Sequence, residues 1–251
     1  MGRIEQCKEK FNELFGVDPV INEGNDPEFM RILQRFIFGE VCYTGDLDNK
    51  VRELVTIVVL TVNQTLPQLK SHTKAALDVG CTPVEIREAI YQCAPFIGFP
   101  KTLNAITTMN EVFSENNIAL PLESQQTIKD EDRYTEGLKI QEPIYGTEIL
   151  DKYSYLPDEY AKAIPRFLTE LGFGDFATRG GMDGTLRELL ILVALSALGG
   201  ADLQVYSHAL GAIKVGNSKE TIICALLHAM PYMGFPRMLN ALNAIKPVIK
   251  D

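Results

Sequence analysis

Only three histidines occur in the 251 residues, and two of them follow a serine, as Ser71-His72 and Ser207-His208. Imidazole is the side chain whose unperturbed titration falls near neutrality, so His72 and His208 are the first candidates for proton transfer. The competing reading is a pair of core histidines, each bonded to a carbonyl. Upstream of each stands an Arg-Glu dipeptide, Arg52-Glu53 and Arg187-Glu188. The helix dipole explains a glutamate near a helix start but disfavours an arginine there. Beside a histidine, such a pair could bind a substrate carboxylate and tune the imidazole. His228 is unpaired, since Gln92 stands at its counterpart, and is read either as a polar helix residue or as a site group of one half only. On the second reading it would give the His208 half one more titratable group. Five cysteines lie at positions 7, 42, 81, 93 and 224 with no CxxC pair among them. They read as small packing residues, and with so few histidines neither a metal site nor a cofactor is expected.

These pairs belong to a longer repeat. At one fixed offset Val79-Gly80 recurs as Val215-Gly216, Gly98-Phe99-Pro100 as Gly234-Phe235-Pro236, and Leu103-Asn104-Ala105 as Leu239-Asn240-Ala241. Upstream the offset shortens by one: Asp48 matches Asp183, and Phe38-Gly39 matches Phe173-Gly174. The chain is therefore a tandem duplication with one residue inserted ahead of the second histidine. The reading divides it into residues 1–115, a polar linker 116–131, and residues 132–251.

Each unit reads as helical. The apolar run Val55 to Val62 could be a buried strand, but its length and polar start at Asp48 favour a buried helix. Pro67 can open the next helix and Gly80 close it, and Thr82-Pro83-Val84-Glu85 spells a capping box. That helix is expected to run to Gly98, where Gly-Phe-Pro breaks it before a last helix through Phe113. Ile4 to Phe15 and Pro27 to Phe38 have helical spacing as well. In the second half Gly216 is the stop and Ser218 the next N-cap. The fold class is all-α. A hairpin between the apolar helix and the next would bring each Arg-Glu pair toward its histidine.

Composition excludes other classes. Hydrophobic residues make up 46% and charged ones 23%, enough for a core and against disorder. Thirty-three acidic against 24 basic residues give a net charge of −9, the wrong sign for nucleic acid or a membrane surface. Neither Leu54 to Val62 nor Leu189 to Leu198 is long enough to span a bilayer. The opening Met1-Gly2-Arg3-Ile4-Glu5-Gln6 has no apolar region or cleavage site, so a reducing, cytoplasmic location is expected.

Arg52-Glu53-Leu54-Val55-Thr56-Ile57, a histidine followed eight residues later by glycine, Glu88-Ala89-Ile90 and Gly98-Phe99-Pro100 together resemble the carboxymuconolactone decarboxylase family, whose superfamily includes the AhpD-like alkylhydroperoxidases. Arg133-Tyr134-Thr135-Glu136-Gly137 resembles the decarboxylase's opening segment, and Leu226-Leu227-His228-Ala229 its late histidine motif. Gly39-Glu40-Val41 resembles a further family segment, in which Asp175 replaces Glu40 in the second half. The resemblance implies an AhpD-like helical fold of two units. It also implies assembly into a homotrimer carrying six units, since single-unit members form hexameric rings.

AhpD-like members carry a CxxC pair four and seven residues before the histidine. Here those positions hold Gln68 and Thr65, then Gln204 and Ala201, so thiol peroxidase chemistry would need some other cysteines to converge. The preferred expectation is a cofactor-independent decarboxylase acting on a small carboxylated lactone. Arg52 and Arg187 would bind the carboxylate or an oxyanion, with Glu40 and Asp175 as further substrate contacts. His72 and His208 would move protons, tuned by Glu53 and Glu188, with His228 as an additional group. The alternative is a non-catalytic protein that binds a small ligand. What separates the two is whether the Arg-Glu-His groups meet at a pocket.

Overall fold

Eleven consecutive residues, Arg52 through Val62, are buried on every face of one helix, so that helix must lie at the centre of the molecule. The computed structural model describes residues 2–19 and 24–250. The first unit comprises α1 (Arg3–Phe15), α2 (Pro27–Gly39), α3 (Asn49–Asn63), α4 (Leu66–Asp78), α5 (Pro83–Tyr91), α6 (Ala94–Ile97) and α7 (Phe99–Glu115). The second comprises α8 (Arg133–Tyr145), α9 (Glu148–Asp151), α10 (Asp158–Phe167), a π-helix (Leu168–Ala177), α11 (Gly184–Leu198), α12 (Asp202–Lys214), α13 (Lys219–Met233) and α14 (Phe235–Lys250). Among the described residues there is no strand, and no helix is long and apolar enough to cross a membrane.

The two central helices start alike. Asp48 accepts from the Val51 amide and Asp183 from the Leu186 amide, caps worth about 1 kcal/mol each. They pack on one another, and the two units share one apolar core. The extra residue lies where the repeat places it. Gln64 (φ 59°) turns the chain after α3, while Gly199 (φ 74°) and Gly200 (φ 69°) make the longer turn after α11. The capping box at Thr82 forms as the sequence spells it.

One element departs from expectation. Instead of running to Gly98, the first unit's helix stops at Tyr91, and the Cys93 amide turns back to the Ile90 carbonyl at 3.1 Å. Pro95, which lacks an amide proton, then opens the short α6. In α13 the equivalent Pro231 sits inside an unbroken helix.

The units exchange helices. α13 packs against α3 and α6 against α11, so each unit sends its late helix into its neighbour's centre. The linker is tied down near the second centre: Arg87 donates to the Leu122 and Glu123 carbonyls, and the Gly180 amide donates to the Gln125 carbonyl at 2.9 Å.

Candidate active site

Both hairpins bring glutamate and histidine into contact. Nδ1 of His72 meets Oε2 of Glu53 at 2.7 Å, and Nδ1 of His208 meets Oε2 of Glu188 at 3.0 Å. A carboxylate can only accept, so each Nδ1 carries the proton and each Nε2 is left to exchange one. The Nδ1 partner of each histidine is thus a carboxylate and not a carbonyl.

The exchanged helices complete the two centres, and they overturn the expected place of His228. It does not join His208. Nη1 of Arg52 donates to Nδ1 of His228 at 3.3 Å, and Nε2 of His228 donates to the Thr56 hydroxyl at 3.1 Å. That hydroxyl in turn donates to the Arg52 carbonyl at 3.0 Å. Burial, with the charges of Arg52 and His72, lowers the His228 pKa to about 3. A neutral imidazole locked between two partners holds Arg52 in place and is no acid or base near neutrality. The other Arg52 nitrogens are also engaged, Nε with the Leu47 carbonyl at 2.8 Å and Nη2 with the Gly45 carbonyl at 3.3 Å. The first centre is internally satisfied.

The second centre is not. Glu88 of α5, fully buried, accepts from Nε and Nη2 of Arg179 at 2.8 and 2.9 Å and from Nη2 of Arg187 at 3.3 Å. Burial pushes Glu88 up, but Arg179, Arg187 and Arg87 more than offset it, and its pKa ends below the usual value. Arg187 spends Nη2 alone, also on the Arg179 and Gly180 carbonyls, and burial pulls its pKa down. Its Nε and Nη1 have no partner among the described residues although the residue is 4% exposed. Gln92, 3% exposed, has neither amide atom paired among the described residues. Repeat arithmetic explains why: Ile191 stands where the first centre has Thr56, the partner of His228. Each buried group left so costs about 1–3 kcal/mol. Arg187 and Gln92 line a cavity of about 50 Å³, walled also by Glu188, Phe96, Phe176 and Ile191. Phe96 sets its ring edge against His208 at 5.6 Å between centroids.

A further residue escaped the sequence reading. The Tyr145 hydroxyl donates to Oε2 of Glu188 at 2.5 Å and lies 2.6 Å from Nδ1 of His208. Burial and the Glu188 charge hold its pKa well above the ordinary phenol value, so it remains a donor. Its room comes from Gly211, where a Cβ would fall 2.7 Å from the hydroxyl. The first unit has Phe15 and Ala75 at these two places, Phe15 meeting His72 edge-on at 5.8 Å. Comparing α1 with α8 position by position was the signal that could have found it.

Glu40 and Asp175 are not brought to the Arg-Glu-His groups. Glu40 pairs with Arg3 at 2.8 Å on the surface and Asp175 pairs with Arg133, tying α1 to α2 and α8 to the π-helix. Asp175 does line a separate cavity of about 310 Å³, with Arg133, Tyr91 and Arg179. All five cysteines are buried and free.

The carboxymuconolactone decarboxylase family model matches residues 27–111 and again 162–247. The chain belongs to the carboxymuconolactone decarboxylase family. A 4-carboxymuconolactone decarboxylase of Acinetobacter baylyi is 33% identical over 99 residues, covering 39% of this chain and 73% of that protein. Nitrosuccinic acid decarboxylase of Metarhizium robertsii is 29% identical over 118 residues, 47% of this chain and 82% of that protein. A solved structure from Burkholderia xenovorans, described as a gamma-carboxymuconolactone decarboxylase subunit, superposes with a TM-score of 0.54 at 15% identity. It covers 98% of this chain and 97% of that one, so the family's fold extends over both units.

Proposed function

We propose that this family member is a cofactor-independent carboxy-lyase for a small carboxylated lactone, working at the second centre. The observation that carries the reading is the cavity where unpaired Arg187 and Gln92 meet Glu188, whose carboxylate is bonded to His208. Decarboxylation breaks the bond to the carboxyl carbon, carbon dioxide leaves, and the bonding pair passes into the unsaturated lactone carbonyl as a dienolate. Arg187, held by Glu88, stabilises that oxyanion in a water-poor site. His208 delivers a solvent-derived proton to carbon through Nε2, and Glu188 with Tyr145 fixes its Nδ1 side. The two decarboxylases among its relatives support the reaction class. The first centre, with Arg52 saturated, serves as its structural counterpart.

A panel of lactone and keto acids, followed by carbon dioxide release, tests the proposal with wild type and His208→Ala. Release from at least one acid, lost in the variant, is expected. Ligand binding without release from any acid would favour the non-catalytic reading.

A further inference from the structure

We infer that the second centre takes a small monoanion carrying one neutral hydrogen-bonding group, with Arg187 holding the charge and Gln92, lent by the first unit, reading the neutral group. The inference rests on the proposed function for placing the substrate in this cavity and goes further in naming what that substrate must present.

Charge sets the first half. Arg187 and Glu188 line the cavity, and behind them Glu88 is shared among Arg187, buried Arg87 and half-buried Arg179. Three guanidiniums against two carboxylates leave one positive charge over, and the unpaired N–H groups place it on Arg187. Asp183, at the solvent-exposed start of α11, is screened by water. One anionic group balances this site, whereas a second would bring an uncompensated charge into a buried cavity.

Gln92 sets the other half. Its amide offers one acceptor and two donor hydrogens with no partner among the described residues. A carbonyl, amide or hydroxyl satisfies such a group without ionising; an alkyl chain cannot. The first centre shows what satisfaction looks like there, because Arg52 and Thr56 clamp His228 from both sides. Ile191 removes that clamp and leaves the amide to the cavity. The volume of about 50 Å³ limits the occupant to a compact molecule.

The test is titration calorimetry with butyrate, succinamate, succinate and succinamide, which share one carbon skeleton. Succinamate should bind about tenfold more tightly than butyrate or succinate, the effect of one satisfied buried polar group, and uncharged succinamide should not bind. Gln92→Leu should erase the succinamate advantage over butyrate. Its melting temperature should not fall, because an unpaired amide is replaced by a side chain of similar volume. Ile191→Thr, which restores an internal partner, should also weaken succinamate. Equal affinity for butyrate and succinamate, tightest binding of succinate, or binding of no acid would overturn the inference. Selective succinamate binding by a protein that releases no carbon dioxide would leave it standing and remove the proposed reaction. Turnover without succinamate selectivity would do the reverse.

Discussion

Arg52 and His228 lie 176 positions apart in the chain and 3.3 Å apart in space, each in a different copy of the repeated unit. The contact makes the stability of the two-unit core depend on one imidazole staying neutral. Folded, His228 titrates at about 3, and its ordinary value is 6.5. Between these the unfolded chain takes up a proton that the folded chain refuses. Stability should therefore be full above about pH 6.5 and decline as the pH falls toward 3. His228→Gln can still accept from Arg52 and donate to Thr56 but carries no titrating group. Its urea midpoint should change less than that of wild type between pH 7 and pH 4. Parallel curves for the two proteins would contradict the assignment.

The sequence was most legible where chemistry and repetition coincide. The tandem units, the two buried helices, the inserted turn residue and the Glu-His contacts all follow from local spacing plus the repeat. What did not follow is which copy of a late helix serves which centre. A repeat aligns residue 228 with residue 92 but says nothing about whether α13 packs on its own unit or on the neighbour. That choice is set by the packing of α3 against α11, a contact between distant segments that no local pattern encodes. Tyr145 was missed for a related reason: α1 and α8 match in length but share few residue types, so the Phe15–Tyr145 exchange is visible only once both touch a histidine.

The two centres should differ in turnover. Both keep a Glu-His dyad, but at the second its glutamate lines a cavity together with unpaired Arg187 and Gln92. His208→Gln should reduce turnover by about 10²–10⁴-fold, the usual contribution of a general acid, while His72→Gln costs far less. Equal losses in variants that still assemble, or a larger loss from His72→Gln, would refute the assignment.

Tyr145 should act by positioning the dyad. Tyr145→Phe installs the residue of the first unit and removes one donor to Glu188, with kcat falling about tenfold and KM little changed. Gly211→Ala, which crowds the same hydroxyl, should produce the same loss without touching the tyrosine. Nitrogen NMR of His208 gives a readout apart from turnover, since its Nδ1 signal should shift in both variants. An unmoved signal would leave Tyr145 without this role.

The thiols should be silent. Burial pushes Cys42, Cys81 and Cys93 up to about 12 and raises Cys7 and Cys224 as well, so little thiolate exists at neutral pH. A thiol reagent should label the native protein slowly and all five cysteines after denaturation. Hydroperoxide consumption abolished by a single Cys→Ser change would show the opposite.

Assembly should follow from apolar residues that the repeat leaves outside the core in duplicate. Phe29 and Ile32 on α2 are exposed, and so are their equivalents Ile164 and Phe167 on α10. Phe99 and Leu103 on α7 are matched by Phe235 and Leu239 on α14, again all exposed. Scattered exposed apolar residues are ordinary on any surface, but the same positions exposed in both copies describe one patch occurring twice. A chain with two similar patches can join the first unit of one copy to the second unit of the next. Three chains close such a ring into six units, the arrangement that the family resemblance implies. Light scattering should give three times the chain mass of 27.9 kDa, or a multiple of that. Ile32→Glu combined with Phe167→Glu should shift the protein toward monomer while its helical circular dichroism is retained, because neither side chain belongs to the buried core. Wild-type protein that stays monomeric across a wide concentration range would exclude the ring. A double variant that remains trimeric would move the interface away from α2 and α10.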